Sequence, residues 1–533
     1  MKFLFFQFFL TIATIAFISG CVMNEVSDDH RVFRYNESSG IATLDPAQAR
    51  SLEIMWAVDA IYDGLVELSP ELEVIPAIAK SWDWTDEGVV FHLRKGVLFS
   101  PASDVPGLEN GRELVASDVV FSLERLRDPQ VASPGGWILD AVKEKGIIAL
   151  NDSTVQISLK TDFPPFIGLL TTPYASIVAP EAVESRGSQF RFNPAGTGPF
   201  NVAWSVEDVA LVLHKNTNYW EKDEAGNSLP YLDAVHIDFV PDMGSEYLGL
   251  IQGRYDFMSG LHPAYMEDLM TQDGALSQKH KATLELHRVP FLKTDYVGVL
   301  IDSISDVRVR KALSLSIDRA GIAKNLRRGS VQPSDRFIPP SMLGEHAHSS
   351  PVYNMELAVE LLELAGYPNG AGLPVIELAT TSDYVDICAA IQHGWEKIGV
   401  KVEVDVSPAS VHREKVATSK SVMFKKSWLA DHADAENFLG LFLERNFSPG
   451  GPNYTHFKSA YYEELYNQAM LVSEDSTRVL LYEEMDSILY ADMPVIPLYH
   501  DQVTHFVRKS VLGWVVSPVN RLELRYVRKI EKH

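Results

Sequence analysis

Cysteine is nearly absent from this 533-residue chain, which has only Cys21 and Cys388, so no disulfide framework holds the fold and packing must do so. Cys388 lies in Val385-Asp386-Ile387-Cys388-Ala389-Ala390-Ile391, whose apolar spacing fits a helix and makes it a small core residue rather than a nucleophile. Long apolar runs are also missing after residue 20: charges or prolines cut every later one well short of the roughly 20 residues that a membrane span needs. No basic stripe is present either. With 47 Lys and Arg against 71 Asp and Glu, a formal charge of −24 repels a phosphate backbone, which argues against nucleic acid as a partner and favours cationic or zwitterionic ligands only weakly.

The common catalytic signatures are missing as well. His-Glu-x-x-His and Gly-x-Ser-x-Gly do not occur, so the commonest zinc-protease and serine-hydrolase patterns are excluded. Gly196-Thr197-Gly198-Pro199 lacks a following Gly-Lys-Ser/Thr, and its proline removes a backbone donor, so it reads as a turn rather than a phosphate loop. Glu345-His346-Ala347-His348 sits among Gly344, Ser349, Ser350 and Pro351; two histidines at i, i+2 in such a loop, with no further ligands, do not make a metal site. No metal and no cofactor are expected.

What is present begins at the N-terminus. Lys2 precedes an apolar run from Phe3 to Gly20, and the run ends Ile18-Ser19-Gly20-Cys21. A cationic start, an apolar stretch and small residues before a cysteine form an export signal of the lipoprotein kind. Cleavage before Cys21 would leave that thiol to carry diacylglycerol. The body of the chain is then extracytoplasmic and tethered to a membrane through Val22 to His30, a short polar segment.

With 46 % hydrophobic residues, 22 % charged and aromatics throughout, the mature chain can bury cores for more than one domain. Strands and helices alternate from Arg31 onward. Val89 to Gly96 reads as a half-buried strand. Ser117 is expected to cap a helix from Asp118 to Arg127 that buries Val119, Leu123 and Leu126 and stops at Asp128-Pro129. Asp306 is expected to cap one long helix from Val307 to Leu326, with Arg308, Arg310, Lys311 and Arg319 on its solvated face. Asn354 opens a helix stopped by Gly366 and Pro368, and Lys401 to Val406 reads as a strand after a further helix that ends near Gly399. The whole is mixed α/β.

The motifs resemble, in order over nearly the whole mature chain, those of the extracytoplasmic solute-binding proteins of ABC importers, the peptide-, oligopeptide- and nickel-binding family 5. They include Thr43-Leu44-Asp45-Pro46, Tyr62-Asp63-Gly64-Leu65, Phe91-His92-Leu93-Arg94-Lys95-Gly96, Ser117-Asp118-Val119-Val120-Phe121-Ser122 and Gly196-Thr197-Gly198-Pro199-Phe200. Asn218-Tyr219-Trp220, Asp306-Val307-Arg308-Val309-Arg310-Lys311-Ala312-Leu313 and Leu361-Leu362-Glu363-Leu364-Ala365-Gly366-Tyr367 continue the series.

The resemblance implies a two-lobed receptor of the Venus-flytrap type that closes over its ligand and makes or breaks no bond. Residues 31–65, 195–290 and 495–533 would form the first lobe, 66–194 a subdomain inserted in it, and 291–494 the second lobe. The implied partners are a peptide ligand, an ABC permease, and the membrane through lipid on Cys21, with the receptor monomeric. Receptors of this fold for nickel-chelate, haem or oligosaccharide are the alternative; an exported enzyme or adhesin is more remote.

The segment Trp428-Leu429-Ala430-Asp431-His432-Ala433-Asp434-Ala435-Glu436-Asn437-Phe438 is similar to the family's Trp-x-Ala-Asp-Tyr-x-Asp-Pro-x-x-Phe. By that resemblance Asp431 receives the α-ammonium of a bound peptide, a task suited to a carboxylate that can accept several charge-assisted hydrogen bonds. His432 and Ala435 replace the family's Tyr and Pro. Trp428 is a candidate floor for a side-chain pocket. Ala379 to Tyr384 offers no arginine where dipeptide-binding relatives hold a carboxylate, which disfavours a dipeptide specialist. The strand from Tyr35 to Leu44 is expected to face the cleft, where an extended ligand could add as a strand.

Overall fold

The computed structural model describes residues 31–260, 263–343, 352–472 and 474–530. The lipoprotein signal with Cys21, the tether, and the Glu345, His346 and His348 cluster lie outside the described residues. No helix among the described residues is long and apolar enough to cross a membrane.

Three larger sheets organise the chain. In the first, Val32–Glu37 pairs in parallel with Ala234–Phe239, which continues antiparallel to Ala210–Lys215 and then to Phe200–Val206. The second is antiparallel throughout, in the order Ala79–Thr85, Gly88–Leu93, Thr154–Leu159, Val142–Asn151. One continuous hydrophobic core joins these two sheets.

The third sheet is mixed and runs Phe257–Ser259, Val495–Arg508, Leu284–Val299, Met423–Leu429, Ile376–Thr380, Val402–Val406. Its last two strands are parallel and joined by the helix Val385–Lys397, a β-α-β unit that buries Cys388, Ile391 and Trp395. Two further cores fill this half of the molecule. The architecture is the mixed α/β, two-lobed one expected.

The two longest strands, Leu284–Val299 and Val495–Arg508, lie antiparallel and serve both halves. Residues 284–290 pair with 502–508 and 294–298 with 495–500, and the register shifts between Pro290 and Thr294. The irregular step frees Phe291 and Leu292 from the ladder. The Leu292 N–H instead donates to the Pro518 carbonyl at 3.1 Å, and the Leu292 carbonyl accepts from Ala430 at 2.9 Å. One break in a ladder thus gathers three distant segments.

Four sequence expectations need correction. The helix expected over Val307 to Leu326 stops at Leu315, and Asp318 caps a new turn by accepting from the Gly321 N–H at 2.8 Å. Arg310 and Arg319, expected on the solvated face, are buried at 4 % and 2 % exposure. Arg319 donates to the Pro497 and Ser314 carbonyls and to the Ser314 hydroxyl, at 2.7 to 2.9 Å. Burial without a contacting carboxylate pulls its pKa down to about 10.

Ser117 is not the helix cap. The helix is Ala116–Glu124, and the Asp118 carboxylate reaches back to the Val115 N–H at 2.8 Å while Arg112 grips its two oxygens. The early strand ends at Glu37 instead of Leu44. Tyr35 is buried against Trp56 and Phe257, and both backbone groups of Arg34 are taken by Asp256, its side chain accepting at 2.8 Å and its N–H donating at 2.7 Å. An extended ligand therefore finds no free backbone at Arg34.

The expected turn at Gly196 to Pro199 is present, and its glycines have a steric cause. A Cβ on Gly196 would lie 2.0 Å from the Ile61 carbonyl oxygen, and one on Gly198 2.5 Å from the Ile61 carbonyl carbon. Between them Thr197 donates to Asp63 at 2.8 Å.

Candidate ligand-binding site

A cavity of about 380 Å³ opens beside the register break. Its lining comes from segments far apart in sequence: Arg50 and Ser51 with one face of the helix that follows them, Leu52 to Asp59, then Pro134 and Trp137, Thr171 to Tyr174, Phe291 and Leu292, Leu429 to His432, and Val519 to Arg521. The volume falls within the ~300–1,000 Å³ usual for small-molecule sites. Asp431 lines it and Trp428 does not.

The 428–438 segment is built to hold Asp431 at that wall. The strand Met423–Leu429 delivers it, and Asp434 turns the chain by accepting from the Glu436 N–H at 2.9 Å through its side chain and from the Asn437 N–H at 3.1 Å through its carbonyl. Phe438 then plugs the core beside Phe337, with ring centroids 5.5 Å apart. Ala435, where the resembling motif has proline, is itself 2 % exposed and packs in that core.

Asn437 fastens the loop. Its side-chain oxygen accepts from the Trp428 indole at 2.8 Å and from the Asp431 N–H at 3.3 Å, while its amide nitrogen lies 3.3 Å from His432 Nδ1. Trp428, half-buried against the core, therefore braces the loop from behind. The aromatic surface facing the cavity comes from Trp56, Trp137, Tyr174 and Phe291 instead.

Burial pushes the Asp431 carboxyl above the usual carboxylate range, with Asn437 and His432 pulling it back. Among the described residues it has no ion-pair partner. A cation placed against it would relieve that penalty. The other cavity carboxylate differs: Asp59 lies 3.2 Å from Arg521 in an ion pair. Burial still pushes Asp59 up to about 6, against the pull of Arg521.

Tyr174 fits because residue 135 is glycine: a Cβ there would meet the tyrosine ring at 2.5 Å. Trp56 is fixed by donating to the Asn520 carbonyl at 2.6 Å, and Asn520 in turn meets His505 at 2.8 Å. The His432 ring sits 6.1 Å from that of Trp137. The cavity thus combines an apolar aromatic wall with a few charged groups, the composition suited to holding and orienting a small solute. Among the described residues no group of three or more His, Cys, Asp or Glu is placed to hold a metal ion.

Sequence reasoning reached Asp431 but missed Trp56, Trp137, Tyr174 and Asn437. Only Asn437 lay in a segment singled out beforehand.

Residues 73–449 match the family model described as bacterial extracellular solute-binding proteins, family 5 Middle. The chain is 26 % identical over 485 residues to the dipeptide-binding protein of Escherichia coli (strain K12), covering 86 % of this chain and 87 % of that one. It is 25 % identical over 491 residues to the glutathione-binding protein GsiB of Shigella boydii, covering 90 % and 91 %. The periplasmic binding protein DppA from Helicobacter pylori, solved with the peptide STSA, superposes with a TM-score of 0.72 at 26 % identity over 93 % of this chain and 98 % of that one.

Proposed function

Because the chain belongs to the family 5 bacterial extracellular solute-binding proteins, we propose that it is the receptor of an ABC importer, capturing peptides between two lobes and delivering them to a membrane permease. Its relatives described above are binding proteins for a dipeptide, glutathione and a tetrapeptide. The observation that carries the reading to this chain is the Asp431 carboxylate, without an ion-pair partner among the described residues, on an aromatic-walled cavity between distant segments. It receives the peptide's α-ammonium, and Trp428 serves the site by holding Asn437 behind it.

The lobes are residues 31–65, 195–290 and 495–533 in one and 291–494 in the other, with 66–194 inserted, so that the boundary after 290 falls at the register break. A ligand touching both lobes binds the closed form better, and that difference in affinity drives closure. The receptor acts as a monomer, exported by its N-terminal signal and anchored by lipid on Cys21. Cys21→Ser should give a ligand-competent protein released from the membrane, since one acylated residue supplies the anchor. Fractionation after a high-salt wash checks it, and a mutant still in the pellet would remove the lipid-anchor assignment.

Asp431→Ala tests the binding role. Removing one partner of a desolvated ion pair costs about 3–5 kcal/mol, so affinity for peptides with a free amino terminus should fall by roughly two to four orders of magnitude. N-acetylated peptides should bind the wild type poorly and lose little more. Calorimetry on the four combinations decides: equal losses for both peptides would reduce Asp431 to shaping its loop.

A further inference from the structure

Asp431 is not the only charge on the cavity without an ion-pair partner among the described residues. Arg50, just before the helix Leu52–Ile61, lines the same space and is exposed to it. Among the described residues it has no ion-pair or hydrogen-bond partner. The second cavity arginine is not available in the same way, because Arg521 is paired with Asp59 at 3.2 Å and lies within the field of Glu523 and Glu67.

Tyr174 links the two free charges. Burial raises its phenol most, and beyond that the Asp431 carboxylate raises it further while the Arg50 guanidinium lowers it. One ring of the cavity wall therefore lies within reach of both charges. The remaining wall around them is largely apolar or neutral: Leu52, Met55, Trp56, Trp137, Thr171 and Thr172. An ammonium site and a carboxylate site are thus presented in one small chamber by segments nearly 400 positions apart.

We propose that Arg50 receives a carboxylate of the ligand whose ammonium Asp431 holds, so that the cavity selects short zwitterionic peptides with charges spaced to meet both. This rests on the peptide reading above and adds to it a carboxylate subsite and a length limit. The chemistry favours arginine in this place: a planar guanidinium offers two parallel donors to a carboxylate and loses hydration more readily than an ammonium. In the open cleft its charge is screened by water. A peptide that fills the chamber displaces that water and strengthens the contact.

Alanine peptides of two to five residues, each as free acid and as C-terminal amide, titrated by calorimetry into wild type, Arg50→Ala, Arg50→Glu and Asp431→Ala, test the assignment. Wild type should prefer the free acid, most strongly at one length. Arg50→Ala should weaken that acid about ten- to a hundredfold, the range of a hydrogen bond between charged groups, and change the amide by less than about twofold. Arg50→Glu should bind the amide at least as well as the acid. Arg50 is exposed, so unchanged melting temperatures are expected and confirm that the variants fold.

Equal losses for acid and amide, or no loss for either, would overturn the subsite. If wild type binds the peptides and depends on Asp431 while both Arg50 variants match it, only this inference falls. If wild type binds none of them, the peptide reading falls and takes this inference with it.

Discussion

One amide side chain, that of Asn437, satisfies the Trp428 indole, the Asp431 N–H and a ring nitrogen of His432. Replacing it with alanine strands donors in a partly buried loop, at about 1–3 kcal/mol, and releases the wall that carries Asp431. Asn437→Ala is therefore expected to lower both the urea midpoint and ligand affinity. Asp431→Asn should lower affinity alone. The raised Asp431 carboxyl also predicts a pH effect: binding of an amine-bearing ligand should weaken as pH falls and the carboxylate takes a proton, which titrations of a peptide between pH 7 and pH 4 would reveal.

Asp431 was legible in the sequence because a local motif carries it. Asn437 is six residues further on, and its role depends on the path of the turn that Asp434 makes. Arg50, Trp137 and Tyr174 were illegible for a different reason. They reach the cavity from separate segments, and no local pattern records which distant residues will share a wall.

At the scale of elements, apolar periodicity located the helices, while their ends and their buried charges escaped it. Val309, Leu313 and Ile317 are all buried, yet the helix breaks after Leu315, and both Arg310 on it and Arg319 on the next turn are buried. Each finds backbone carbonyl oxygens: Arg310 meets those of Ile304, Ser305, Asp492 and Met493, and Arg319 those of Ser314 and Pro497. A sequence pattern gives arginine to solvent by default, because the carbonyls that make its burial tolerable exist only once the chain has folded. Arg319→Met keeps much of the volume but removes the guanidinium's hydrogen bonds to buried oxygens, so a loss of about 1–3 kcal/mol is expected, read as a drop in the urea midpoint. A midpoint unchanged from wild type would mean that water replaces the guanidinium.

The whole molecule holds several carboxyls whose pKa is raised by burial: Asp59, Asp63 and Asp486 to about 6, Glu246 to about 7 and Glu37 to about 8. Their unfolded counterparts titrate near 4, so above that pH the native state holds more protons and stability must fall as pH rises through the folded values. Buried His505, pulled down to about 4, acts in the opposite sense below its ordinary range near 6.5. Because five raised carboxyls outweigh this one histidine, the melting temperature should already be falling above about pH 5 and be lower at pH 8.5 than at pH 6. Glu37→Gln should raise the pH 8.5 value and flatten the decline; equal melting temperatures for wild type at the two pH values would contradict this. Ligand should also make the particle more compact, which small-angle scattering with saturating peptide can measure.

The shared pair of long strands has a consequence for how this chain comes to be folded. Leu284 pairs with Arg508, and the strand Val495–Arg508 also bonds Phe257–Ser259 and Val331–Pro333. The mixed sheet thus lacks its central member until nearly the last residues have been delivered. Contacts so distant in sequence form slowly, because loop closure precedes their reward. A chain emerging N-terminus first therefore keeps its mixed sheet incomplete for almost its whole length. Pulse-labelled chains truncated before Val495 should remain protease-sensitive throughout the mixed sheet, and the full-length chain should gain protection of Leu284–Val299 and Met423–Leu429 in a single late step.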